Sequence, residues 1–206
     1  MRTILEDIKD TIWSPERRSD LLQIAQKCAY QFKNSQSFLT LDVDLKQFTF
    51  FGKGKEHKIK YVLSQSVENL SGKVELFDFY RDGKNKVTTL ILVKSVLLDL
   101  PKFRIEGRSR WDWVKRKPAG RKIEFMGFPD FNQLFHLYTE ATPRQMKDLF
   151  QEEFLDFLME HPDCYLEAHQ EFILLGRKES MIEATDITTW MDYGALIGYS
   201  FLKEKL

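Results

Sequence analysis

The chain has 206 residues, 43% of them apolar and 30% charged, a mixture that excludes disorder over most of its length. Its 31 basic and 31 acidic residues balance to a formal charge of zero. At face value that balance argues against a nucleic-acid or membrane-surface protein.

The first 33 residues read as helical. Ile4, Leu5, Ile8 and Ile12 form one short apolar face. Ser14-Pro15 is a helix start, with serine at the N-cap and proline at the first helical position. Leu21, Leu22, Ala25, Cys28, Ala29 and Phe32 then recur at helical spacing, which predicts an amphipathic helix laid on a core. From Ser37 the period becomes two. Leu39, Leu41, Val43 and Leu45 alternate with Thr40, Asp42 and Asp44, the pattern of a half-buried strand. The parity flips at Phe48 and Phe50, so a bulge or turn is expected near Lys46-Gln47. Ile59, Tyr61 and Leu63 predict the next strand.

Lys73–Tyr80 and Lys86–Ser95 are apolar runs separated by Arg81-Asp82-Gly83-Lys84-Asn85, a hairpin signal. The second run contains VTTLILV and reads as a central strand buried on both faces. Leu100-Pro101 is expected to end it, because proline cannot donate to a ladder. Phe103 and Ile105 begin another short strand, and Ile123 and Phe125 resume strand character after a basic loop. Phe131–Tyr138 fits helix or strand. Thr142-Pro143-Arg144-Gln145 is a capping box, followed by Met146, Leu149, Phe150, Phe154, Phe157 and Leu158 at helical spacing. His161-Pro162 stops that helix. Tyr165–Ala168 and Glu171–Gly176 predict a second hairpin, and a helix from about Asp186 to Lys205 closes the chain.

Strands that follow one another without intervening helices imply a mainly antiparallel sheet flanked by helices, an α+β fold. Residues 1–36 are expected as an N-terminal helical segment packed on the main domain, and residues 37–206 as a single α+β domain. The start MRTILEDIKD has acids and no uninterrupted apolar run, unlike a secretory signal. No stretch reaches the ~18 apolar residues a membrane helix needs. A cytoplasmic protein is the expectation. Cys28 and Cys164, the only cysteines, each sit in an apolar pattern and are expected as buried free thiols.

Signatures of phosphate loops, zinc proteases and serine hydrolases are missing. Gly52-Lys53-Gly54-Lys55 lacks a third glycine and a following helix, so it reads as a basic turn. His161, Cys164 and His169 lie close in sequence, but strand alternation puts Cys164 and His169 on opposite faces. No metal site, cofactor or catalytic residue is assigned. Asp42, Asp44 or His169 would carry an enzyme of unrecognised family, the least favoured reading. Gly194 and Gly198 stand four apart in the last helix, for close packing on a sheet or a homodimer contact.

The segment richest in functional content is Arg104–Lys122, with eight basic and two acidic residues. Within it Arg108, Arg110, Lys115, Arg116 and Lys117 can neutralise phosphates, while Trp111 and Trp113 can stack on bases or enter a lipid interface. The alternative is a surface loop whose tryptophans pack back on the sheet. The zero net charge is itself a sum of opposed blocks. Residues 1–45 carry −1, residues 46–122 carry +11 and residues 123–206 carry −10. A partner meets local charge, which reopens anionic partners.

Residues 46–206 resemble an uncharacterised bacterial domain family. The resemblance rests on FFGKGKEHKIKYVLSQSVENLSGKVELFDFYRDGKNKVTTLILV, on Leu100-Pro101-Lys102-Phe103, on IEFMGFPDFNQLFHLY, and on MKDLFQEEFLDFL followed by a short hairpin and a terminal helix. It implies no catalytic residue. Members often carry membrane segments, from which this chain departs. The favoured expectation is therefore a non-enzymatic binding or interaction module. A binder of nucleic acid or lipid headgroups through loop 104–122 is the alternative.

Overall fold

The computed structural model describes residues 15–34, 45–51, 57–81, 87–108, 121–125, 128–177 and 180–202. Its centre is a nine-stranded antiparallel sheet. The strands are β1 (Gln31–Lys33), β2 (His57–Val67), β3 (Gly72–Arg81), β4 (Val87–Ser95), β5 (Leu100–Gly107), β6 (Arg121–Ile123), β7 (Phe135–Thr139), β8 (Cys164–Gln170) and β9 (Phe172–Arg177). Their spatial order is β1-β2-β3-β4-β9-β8-β5-β7-β6. The β8–β9 hairpin is thus inserted between β4 and β5. That insertion buries Leu90–Val93 of β4 on both faces, as the run VTTLILV requires.

Period-two alternation splits the sheet into two apolar layers. On the first face Val74, Leu76, Ile91, Val93, Phe103, Ile105, Leu166 and Leu175 meet the helices. These are α1 (Pro15–Cys28), α2 (Pro129–Leu134), α3 (Pro143–Leu149), α4 (Glu152–Glu160) and α5 (Ile187–Ser200). On the second face Ile59, Val62, Phe77, Phe79, Leu90, Leu92, Tyr165 and Leu174 form a smaller core. Two 3-10 turns, Leu45–Gln47 and Thr49–Phe51, cover part of it. Phe50 and Phe51 stack edge-on against Phe79, and Phe50 also meets Tyr165.

The sheet, the second hairpin and the Thr142 capping box agree with the sequence pattern. Several details differ. The helix of residues 15–28 ends before Phe32, which enters β1 after Ala29 turns through a positive φ of 55°. The turn expected near Lys46-Gln47 is the first 3-10 turn, but no strand follows it: Phe48 links the two 3-10 turns, Phe50 lies in the second, and the Phe48 ring folds inward onto Phe51. Tyr61, at φ 54°, bulges β2, so Ile59 and Leu63 serve opposite layers. Pro101 does not terminate β4. It lies inside β5 at an irregularity between Leu100 and Phe103, where a missing donor is tolerated. Phe131–Tyr138 is helix and then strand.

The expected helix from Met146 to Leu158 is two helices, broken by extended backbone at Phe150 and Gln151. Glu152 and Glu153 then sit in the first turn of α4, where carboxylates favour a new helix start. Gly194 and Gly198 face the sheet. A Cβ on Gly194 would come within 2.9 Å of Ile91, and one on Gly198 within 3.0 Å of Leu70. They serve tight helix-on-sheet packing. Cys164 is buried and Cys28 only half-buried, and both are free thiols. The segments Ile4–Ile12, Leu39–Asp44 and Gly52–Lys55 lie outside the described residues.

Candidate functional site

Two buried polar knots account for charges the sequence left without a role. Arg17 reaches from α1 under the sheet. Its Nε donates to Asp78 Oδ2 at 3.0 Å, and its two terminal nitrogens to Asp78 Oδ1, Thr89 Oγ1 and the Ile182 carbonyl. Asp78 is 0% exposed. On the second face Glu167 accepts from the Thr49 N–H and hydroxyl, both at 2.8 Å, from the Phe50 N–H, and from the Tyr165 hydroxyl at 2.5 Å. Burial, and then the Glu167 charge, raise the Tyr165 pKa well above its ordinary 10.0. Both knots are closed hydrogen-bond sets that hold elements together.

Cross-strand register builds a continuous row on the second face: Ser64, Glu75, Leu92, Leu174, Glu167, Arg104, Tyr138 and Lys122. Arg104 is buried. Its Nε stands 3.1 Å from Glu106 Oε1, out of line for a hydrogen bond, and its guanidinium lies over the Tyr138 ring at 4.8 Å. One step along the strands lies a second row: Ser66, Lys73, Lys94, Phe172 and His169. Lys73 and Lys94 are direct cross-strand partners, a like-charge pair that costs stability. Lys73 Nζ bonds Glu75 Oε1 at 3.0 Å, and Lys94 Nζ lies over the Phe172 ring at 5.6 Å. Lys102 is exposed at the same end of β5.

This second row borders the β4–β5 connection, where two of the five exposed large apolar side chains among the described residues stand side by side. Val96 is 65% and Leu97 45% exposed, between buried Ser95 and buried Leu98. The turn is pinned from below. The Ser95 hydroxyl donates to the Leu70 carbonyl and accepts from the Leu97 N–H at 3.0 Å. The Leu98 N–H closes the turn on the Ser95 carbonyl at 3.2 Å, and the Ser95 N–H bonds the Glu171 carbonyl. Turn corners normally carry Gly, Pro, Asn, Asp or Ser. Here both corners are large and apolar. Asp99 and Glu171 stand nearby, so the rim is mixed, with Lys73, Lys94 and Lys102 behind it.

Of the candidate anion-binding residues, Arg108 follows β5, exposed, with its Nε on the Phe135 carbonyl at 3.3 Å. Arg110, Trp111, Trp113, Lys115, Arg116 and Lys117 lie outside the described residues, as do Asp42 and Asp44. Their connection joins β5 and β6, the strands that carry Arg104 and Lys122. Cys164 lies in the first-face core while its strand neighbours Tyr165 and Glu167 point to the second, which separates it from His169. Burial pushes the Cys164 thiol far above its ordinary 9.0. Among the described residues no group of three or more His, Cys, Asp or Glu could hold a metal ion. No described helix is long and apolar enough to cross a membrane.

Sequence reasoning missed the Val96-Leu97 tip. A signal was present: VTTLILVKSVLLDL stays apolar past the point where a solvent-facing turn should become polar. Comparison of the chain with protein-family models, with curated proteins and with solved structures returned no match.

Proposed function

We propose that this protein is a non-enzymatic binding module that attaches reversibly to anionic membrane surfaces through the Val96-Leu97 turn. In the cytoplasm, where we place it, the anionic inner leaflet is the surface such a tip meets. The observation that carries the reading is the pairing of two exposed apolar corners with a lysine row directly behind them. Apolar corners enter the lipid interface, and cations remain at headgroup level. A rigid turn loses little conformational entropy on insertion, and the Ser95 hydrogen bonds supply that rigidity. Lys73 and Lys94 are cross-strand neighbours, so one anionic headgroup can meet both ammonium groups.

The expected strength follows from the exposed area. Val96 and Leu97 contribute roughly 2–3 kcal/mol together on entering hydrocarbon. Each of Lys73, Lys94 and Lys102 adds up to about 1 kcal/mol near an anionic leaflet. The sum, about 5–6 kcal/mol, is a binding constant near 10⁴ M⁻¹, comparable with one myristoyl chain.

Flotation with phosphatidylcholine vesicles, with and without phosphatidylserine, tests the reading. Binding is expected only with phosphatidylserine, and it falls with added salt. Val96→Asp/Leu97→Asp abolishes it while leaving the melting temperature unchanged. Salt-sensitive binding to single-stranded oligonucleotides with no vesicle binding would transfer the site to nucleic acid and overturn the proposal. Vesicle binding that survives the double substitution would also overturn it.

A further inference from the structure

The helical layer carries a second surface of opposite character. α4 and α5 run side by side and leave a groove floored by Phe154, Phe157, Leu196 and Tyr199. Leu196 is 55% exposed in mid-helix, with Asp192 one turn before it on the same stripe. Glu153 forms part of the wall, and Glu152, Asp156 and Glu160 are exposed along α4. The two helices together hold five acidic residues and no lysine or arginine. An apolar floor inside an acidic rim is selective for a segment that is apolar on one side and cationic on the other.

We infer that the α4–α5 groove docks a basic amphipathic helix of a protein partner. Charge complementarity names the occupant. The chain's own first 14 residues are amphipathic but carry Arg2 and Lys9 against Glu6, Asp7 and Asp10, a net of −1 that the rim repels. α5 has 14 residues, about 21 Å along its axis, so a partner helix of about four turns matches its length. Such a helix presents apolar residues at i, i+4 and i+7, with Leu196 as the central contact. Phe157, His161, Trp190 and Tyr193 stack together at one end of the groove and make that end rigid. The surface lies on the helical layer, rests on residues other than those of the Val96-Leu97 turn, and stands independently of the membrane proposal.

The probe is a synthetic peptide of α5's length, 14 residues, with leucines on one helical face and lysines on the other. Its control carries glutamate in place of lysine. Titration into the ¹⁵N-labelled full chain is expected to shift resonances of α4 and α5 with the lysine peptide alone. Leu196→Asp is expected to weaken binding roughly tenfold or more, the loss of one central anchor. Glu153→Gln/Glu160→Gln/Asp192→Asn is expected to weaken it severalfold and to flatten its salt dependence. All four positions are exposed or at the groove wall, so the fold is kept, and a melting curve checks this. Leu196→Asp leaves phosphatidylserine binding unchanged, which separates this inference from the membrane proposal. Equal binding of the glutamate peptide, shifts mapping away from α4 and α5, or full affinity after Leu196→Asp would each overturn it. So would a chain dimer that Leu196→Asp dissociates, since the groove would then belong to a second copy.

Discussion

Arg17 is the clearest single test of how the fold is held. It donates four hydrogen bonds, three of them into the fully buried Asp78–Thr89 pair and one to the Ile182 carbonyl. Arg17→Met keeps the volume of the stem and removes every donor. Asp78 is then a buried carboxylate left with the Thr89 hydroxyl at 2.7 Å, and the Ile182 carbonyl loses its donor. Removing one partner of a buried ion pair costs about 3–5 kcal/mol. For a chain of this size that corresponds to a melting temperature lower by roughly 6–20 °C. Urea denaturation followed by circular dichroism measures the loss. Arg17→Met/Asp78→Asn removes the stranded charge and is expected to recover a large part of it. A double-mutant coupling energy of about 2 kcal/mol follows from residues in one network. A loss below ~1 kcal/mol for Arg17→Met, or additive single effects, would refute the view that this pair fastens α1 to the sheet.

Other outcomes follow from the same geometry. Glu167→Gln replaces an acceptor of four hydrogen bonds with an amide that must present donors to donors, and should cost about 2–3 kcal/mol by urea titration. Thr142→Ala removes the hydroxyl that accepts from the Gln145 N–H, leaves the backbone N–H of residue 142 bonded to the Gln145 side chain, and should cost about 1 kcal/mol. Cys164 and Tyr165 both have pKa values raised by burial, so the unfolded chain ionises first. Stability is therefore intact below the ordinary pKa values of 9.0 and 10.0 and falls as pH rises through them. Cys164→Ala/Tyr165→Phe should flatten that alkaline limb in pH-dependent melting curves. Half-buried Cys28 should react with a thiol reagent in the native protein, while Cys164 reacts only on unfolding.

Much of the fold was legible because it rests on local rules. Asp82-Gly83 between two apolar runs marked the β3–β4 hairpin, and Thr142 with Gln145 marked the start of α3. VTTLILV announced a strand buried on both faces. What stayed hidden was set by long-range partners. The insertion of β8–β9 between β4 and β5 joins residues 59 to 86 apart in the chain, and no local period encodes it. Phe48 and Phe50 alternate like a strand, yet their place is decided by Glu167, more than a hundred residues away. The break at Phe150 is invisible to helical periodicity, because both sides of it continue an apolar face. The Trp111–Trp113 loop drew attention by composition alone. The Val96-Leu97 tip escaped because an apolar run extends past a strand end without changing character.

Membrane attachment through the tip has one most direct measurement. An environment-sensitive fluorophore is placed at Leu97→Cys in a Cys28→Ser background, and a reference label at Thr185→Cys, exposed beside α5. With phosphatidylserine vesicles the label at position 97 should shift to the blue and gain intensity, the label at 185 should not, and salt should reverse the change. No shift at position 97, or an equal shift at both positions, would contradict the account.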